Sequence, residues 1–285
     1  ITVSHTAPAT ISAIFAVGSK PVLLDVEDTF YTLNPDLIER SITKKTKCVI
    51  LVHLYGLVGN IEKIKKICKK KSIFLIEDAS QAHGSFFKNK RIGSFGDIGC
   101  LSLYPTKNLG GIGDAGMMIT KSKKLFNKMK LLRQYGWNKN KLVTMPGRNS
   151  RLDEIQAAII NIKLKYLDSD NSKRRKIADY YFKNIVNKKF IKPSIRKNTL
   201  PVFHLFVLQC EERNKFINYM KKNNILCGIH YEIPTHKHPG FKNSKIIGKL
   251  SVTNKICKKI VSIPIYPELS LRDVKYITGL INKFK

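Results

Sequence analysis

Acidic residues are scarce in this chain: 20 Asp and Glu stand against 52 Lys and Arg, a formal net charge of +32. Such a surplus opens two readings, attraction to polyanions (nucleic acid, anionic lipid or a nucleotide diphosphate) and simple drift of composition. The basic set is 42 Lys to only 10 Arg, spread over the whole length with no basic tail. Recognition of phosphate by bidentate contacts favours Arg, so the balance reads as drift and nucleic acid is not an expected partner. Paired cysteines are also missing. Cys48, Cys68, Cys100, Cys210, Cys227 and Cys257 include no Cys-x-x-Cys, and several sit in apolar runs. They read as small buried hydrophobes rather than metal ligands, and no metal is expected. No apolar run approaches the roughly 18 residues that a membrane-spanning helix needs. No basic stretch followed by an apolar one marks a signal peptide, so a reducing cytoplasm is the expected compartment. Repeats, low-complexity segments and flexible linkers are absent too, which leaves a globular chain of 285 residues, enough for one large domain and one small.

Within that frame the first half alternates between strand and helix patterns. Val22–Val26, Cys48–His53, Ile73–Ile76, Ile98–Leu103 and Gly116–Thr120 read as buried strands. Asn34-Pro35-Asp36 carries the signature of a helix start: an N-cap Asn, a Pro at the first position and an acid in the first turn. Asn60 caps a second pattern, Ile61 to Lys70, with Ile61, Ile64, Ile67 and Cys68 on one face and lysines on the other. Leu152 to Tyr166 reads as a long helix whose apolar stripe is Leu152, Ile155, Ala158, Ile159 and Ile162. Asp168 to Lys176 is either a break or a continued exposed helix. The tail mixes strands (Phe203–Leu208, Cys227–His230, Val261–Pro264) with helices near Arg213–Lys222 and Leu271–Phe284. The expected fold is α/β: a mostly parallel central sheet flanked by helices in residues 1–168, and a smaller α+β domain in residues 169–285. In such folds ligands gather at the carboxyl ends of the strands.

Lys107 is the residue whose surroundings say most about chemistry. It lies in Gly99-Cys100-Leu101-Ser102-Leu103-Tyr104-Pro105-Thr106-Lys107-Asn108-Leu109-Gly110-Gly111, downstream of an apolar run that ends in Glu77-Asp78. A strand-end Asp followed by a lone Lys on a Gly-rich turn suits pyridoxal phosphate (PLP). The Lys forms a Schiff base with the cofactor aldehyde, and the Asp keeps the pyridine nitrogen protonated so that the ring acts as an electron sink.

Further motifs occur in order around that pair: Ser4-His5-Thr6-Ala7-Pro8-Ala9-Thr10, Val52-His53-Leu54-Tyr55-Gly56, and Glu77-Asp78-Ala79-Ser80-Gln81-Ala82-His83-Gly84. They are followed by Gly96-Asp97-Ile98-Gly99, Gly113-Asp114-Ala115-Gly116 and Gly147-Arg148-Asn149-Ser150-Arg151-Leu152-Asp153-Glu154. Over essentially its whole length the chain resembles the sugar aminotransferases of the DegT/DnrJ/EryC1/StrS family, which have the fold type I PLP-transferase architecture. The resemblance implies Lys107 as the catalytic and cofactor-bearing residue, with Asp78 as partner of the pyridine nitrogen. It places Gln81 beside the ring hydroxyl and Ser102 on the cofactor phosphate. Asn149 matches an Asn that reaches the cofactor of a neighbouring subunit, which implies a homodimer with shared active sites. His230-Tyr231, followed by Glu232 where relatives read Pro, is a candidate substrate wall, with His204, His236 and His238 nearby in sequence.

Two departures accompany the resemblance. Relatives carry a further N-terminal stretch, so the chain is expected to be an N-terminally shortened member. Ala7 stands where many relatives have an aromatic that stacks on the cofactor. The implied reaction moves an amino group from an amino acid donor, L-glutamate by family habit, to a keto-sugar nucleotide. The Ser-His-Thr-Ala and Tyr135-Gly136-Trp137 stretches look most like enzymes of dTDP-3-keto-6-deoxyhexoses. Amination at C4 of a 4-keto-sugar nucleotide is the near alternative, and a non-catalytic member that binds polyanions is the alternative of another class. Intact Asp78, Gln81, Ser102, Lys107 and Asn149 favour the enzyme.

Overall fold

Apolar runs covered on both faces are the pattern of parallel strands, and here they lie side by side. The computed structural model describes residues 1–285. Strand β1 (Thr2–Val3) leads through helix α1 (Pro8–Ala16) to β2 (Val22–Leu24). A βαβ unit follows: β3 (Cys48–Val52), α2 (Ile61–Lys70) and β4 (Phe74–Asp78). A small hairpin, β5 (Phe86–Phe87) and β6 (Lys90–Arg91), precedes β7 (Ile98–Ser102) and β8 (Gly116–Ile119). Strands β3, β4 and β7 are parallel, with Val52 level with Asp78 and Asp78 level with Cys100. Strand β8 closes one edge antiparallel. At the other edge the Ile50 N–H donates to the Ile1 carbonyl at 2.9 Å, so β1 adjoins β3 and carries β2 in parallel beside it.

Helices α3 (Lys123–Leu132), α4 (Glu154–Leu164) and α5 (Leu167–Asn184) then lead to β9 (Phe190–Ile191) and to β10 (Thr199–Leu200), which pairs with the β5 hairpin. The tail comprises β11 (Phe206–Cys210), α6 (Arg213–Lys222), β12 (Lys245–Ile246), α7 (Ser251–Lys259), β13 (Ile260–Ile263) and α8 (Leu271–Lys283). Strands β13, β11 and β9 form a small antiparallel sheet, while β12 returns to pair with β2. The architecture is α/β with a mixed, largely parallel main sheet, as the alternation of elements implies.

Helix α2 shows why the local pattern was decisive. The Asn60 side chain accepts from the Lys63 N–H, and Ile61, Ile64, Ile67 and Cys68 are all buried while the lysines face water. Each buried Ile stabilises the fold by about 1.5–3 kcal/mol. Other expectations need correction. Asn34 does cap, accepting from the Asp36 N–H at 3.0 Å, but only two short 3₁₀ turns follow, Pro35–Leu37 and Glu39–Ser41. A cap fixes a first turn, whereas extending a helix needs a continuous face to bury. In α4 the stripe is not covered: Ile155 and Ile162 are exposed, and Ile160 is the buried residue. Cys227–His230 is not a strand; Gly228 alone bridges Ser262. Asp168 to Lys176 is continuous helix within α5. A cluster of 41 buried residues extends from Ile1 to Phe284, so one core underlies both halves of the chain.

Candidate active site

Parallel register puts the carboxyl ends of β4 and β7 side by side, and the residues of interest leave the sheet there. Asp78 ends β4, Ser102 ends β7, and Lys107 follows on a turn closed by its own N–H donating to the Tyr104 carbonyl at 2.9 Å. The Asp78 carboxylate is fixed by two donors. Thr10 Oγ1, on α1, donates to Oδ2 at 2.8 Å, and the Ser80 N–H donates to Oδ1 at 3.2 Å. Thr6 Oγ1 lies 3.1 Å from Thr10 Oγ1 and extends the chain of hydroxyls. Burial lowers the Lys107 ammonium from its ordinary value, and the Asp78 carboxylate pushes the other way.

Gln81 and the His230-Tyr231 pair converge on the same space. The Gln81 Oε1 accepts from the Tyr55 N–H at 2.6 Å, and its Nε2 donates to the Tyr231 hydroxyl at 3.2 Å. Burial raises the Tyr231 phenol; the Gln81 bond opposes this and the Asp78 charge adds to it. The His230 Nδ1 pairs with Ser262 Oγ at 2.9 Å, and the His230 carbonyl accepts from the buried Tyr55 hydroxyl. Burial and then the Lys107 ammonium lower His230. Gly56 shows how closely this region is packed: with φ of +85°, a Cβ there would meet the Gln81 carbonyl and the His204 nitrogen at 2.9 Å.

Beneath Asp78 lies a second, fully buried pair. Glu77 accepts from the Gly93, Phe95 and Gly96 N–H groups at 2.7–2.8 Å and faces His53 Nε2 at 3.2 Å. The Gly59 N–H donates to His53 Nδ1, so Nε2 is the nitrogen that carries the proton toward Glu77. Burial alone would raise the Glu77 carboxyl, but these donors hold it below its ordinary value. This charge anchors the turn that leads into β7.

The expected residues do not all meet. Asp78, Gln81, Lys107, His230 and Tyr231 share one space, with Ser102 at its rim, half-buried and donated to by the Tyr104 N–H at 3.4 Å. Asn149 is exposed, accepting only from Arg151 Nε at 3.1 Å, on a segment that bridges Gln134. Three groups had no role assigned from sequence: Thr10, which bonds Asp78, and His83 and His204, which feel the Lys107 charge. Thr10 and His83 stand inside the quoted motifs, but their contacts depend on segments far apart in the chain. His83 is 1% exposed, and neither ring nitrogen completes a hydrogen bond of normal geometry. Burial lowers it to about 4, the Ser102 carbonyl opposing and the Lys107 charge assisting.

The chemistry of these residues suits a pyridine aldehyde such as PLP. The Lys107 amine is half-buried without a salt-bridge or hydrogen-bond partner, a fixed carboxylate faces the same space, and an orphaned imidazole lies beside them. Fold and site together define a PLP-dependent aminotransferase. The comparisons agree. The DegT/DnrJ/EryC1/StrS aminotransferase family model matches residues 1–282. The dTDP-3-amino-3,6-dideoxy-alpha-D-galactopyranose transaminase of Aneurinibacillus thermoaerophilus is 40% identical over 281 residues, which are 99% of this chain and 77% of that protein. The crystal structure of S. venezuelae DesV superposes with a TM-score of 0.95 at 32% identity, covering 99% of this chain and 76% of that one. The structure of ntda from Bacillus subtilis with bound cofactor PMP superposes with a TM-score of 0.90 at 29% identity, covering 98% and 66%. The chain belongs to the DegT/DnrJ/EryC1/StrS aminotransferase family.

Proposed function

We propose that the enzyme transfers an amino group from L-glutamate to a nucleotide-linked keto sugar, a dTDP-3-keto-6-deoxyhexose, aminating C3. The relatives' named substrates support the sugar and the regiochemistry. The observation that carries the reading is the unpartnered, half-buried Lys107 amine facing the clamped Asp78 at the carboxyl ends of β4 and β7.

When bound, PLP supplies an electron sink for the carbon that loses or gains a proton. Lys107 would hold the cofactor and, as a free amine, would carry a proton to and from the donor's α carbon. Its lowered affinity for a proton suits it to both directions. Asp78 would pair with the pyridine nitrogen, its orientation set by Thr10 and Ser80. Gln81 orients Tyr231, and with His230 these residues form the substrate wall. Ser102 would bind the cofactor phosphate.

Asn149 is exposed and bonds to none of this cluster, which suits a role toward the cofactor of a second copy. The exposed apolar residues of α4, Ile155 and Ile162, and of the preceding loop, Leu142 and Val143, support a homodimer. The large and small domains divide at residues 168/169, in the first turn of α5. No helix is long and apolar enough to cross a membrane. All six cysteines are free, which supports a cytoplasmic enzyme.

The test is the visible spectrum of the purified chain with PLP, before and after L-glutamate. The absorption band of lysine-bound PLP should form and then be lost on adding glutamate. The Lys107→Ala variant should show neither the band nor amination. Turnover retained by Lys107→Ala would overturn the mechanism.

A further inference from the structure

His204 lies two residues before the start of β11, and its ring is locked in one orientation by groups that cannot reverse. The Asn108 Nδ2 donates to the Asn171 Oδ1 at 2.8 Å and to the Val202 carbonyl at 3.4 Å. The Asn171 Nδ2 in turn donates to the His83 carbonyl at 2.8 Å. Backbone carbonyls only accept, so they fix which end of each amide is nitrogen. The Asn108 Oδ1 is therefore left facing His204 Nδ1, 3.0 Å away, and Nδ1 must carry the proton. Nε2 is then a bare lone pair with no partner, on a side chain only 9% exposed.

Its surroundings keep it bare. Burial, the Lys107 and Arg174 cations, and the His83 and His230 rings all act against a second proton on His204. The Arg174 guanidinium donates to the His204, Phe203 and Ile265 carbonyls, which fixes that cation against the backbone that carries the ring. Asn108 follows Lys107 directly in the chain, so the lock and the amine belong to the same turn.

We propose that His204 Nε2 is an acceptor-only specificity group that reads a neutral hydroxyl of the sugar substrate, its tautomer set by Asn108 and Asn171. A bare lone pair repels carboxylate and keto oxygens, and two neighbouring cations repel an ammonium. A neutral O–H is the donor that remains. His204 thus serves the sugar half of the reaction, since glutamate offers only an ammonium and carboxylates. The proposal rests on the sugar reading given above, but the tautomer can be measured without it.

The experiment is nitrogen NMR on the PLP-loaded protein labelled with ¹⁵N-histidine. The probe is an unreactive dTDP-6-deoxyhexose that carries a hydroxyl at C3. His204 should show a protonated Nδ1 and an unprotonated Nε2, and the Nε2 signal should move on adding this probe. Asn108→Ala should let the proton migrate to Nε2 and weaken probe binding about ten-fold, the effect of one buried hydrogen bond. A protonated Nε2 in the wild type would overturn the proposal whatever the substrate. Probe binding with an unmoved Nε2 signal, or unchanged tautomer and affinity in Asn108→Ala, would also overturn it. Absence of probe binding while Nε2 is bare would overturn the sugar reading, and the hydroxyl assignment with it, but leave the tautomer lock standing.

Discussion

Replacing Glu77 by Gln should cost this protein more stability than its conservative appearance suggests. The carboxylate accepts four bonds: Phe95 and Gly96 N–H on Oε1, and Gly93 N–H and His53 Nε2–H on Oε2. An amide has one acceptor oxygen, so its NH₂ must face two donors whichever way it turns. Each lost bond to a charged group is worth about 1.5–3 kcal/mol. Two such losses come to about 3–6 kcal/mol, and relief from burying a charge offsets part of this, leaving about 3–5 kcal/mol. Against a total of about 5–15 kcal/mol, the loss is measurable by urea unfolding at pH 7.

The same substitution has a predictable pH signature. Glu77 has a lowered pKa in the folded state, so its stabilisation is fully present above the usual carboxyl value of 4.5 and is lost as pH falls through the lower folded value. The gap between wild type and Glu77→Gln should therefore be widest near neutrality and narrow below about pH 4.5. A loss under about 1 kcal/mol at pH 7 would refute the assigned network. So would a gap that stays constant through the acid range.

Two further outcomes test the site and the assembly. Thr10→Val removes one of the two donors to Asp78 while keeping shape; steady-state kinetics should show kcat reduced roughly ten-fold with little change in KM, and Thr10→Ser should restore it. An unchanged kcat would mean that Ser80 alone orients the carboxylate. Ile155→Glu places a charge on a side chain that is 72% exposed, so the subunit should stay folded while sedimentation shows the dimer weakened. A dimer as tight as the wild type would move the interface elsewhere.

The roles proposed for Lys107 and Asp78 rest on the ordered motifs around them and the family these resemble, because a strand-end acid and a lysine on a glycine-rich turn are each common by themselves. Strands β3, β4 and β7 were equally legible, since apolar runs of that length are stable only when covered on both faces. Helix α2 was legible to the residue, its cap and its face agreeing. Where local signals had no packing to support them, as at Asn34 and at Cys227–His230, the expected element was shortened or absent.

What only the tertiary structure decided lies between segments distant in the chain. Thr10 meets Asp78 across 68 positions, and His204 meets Asn108 across 96. No periodicity records such meetings, because they depend on how the parallel strands set their ends level and on where the tail returns. The chemistry of the chain was written in its residue types. The direction of each proton, on Asp78's donors and on His204, was fixed by hydrogen bonds that exist only once the sheet, α5 and the segment before β11 have come together.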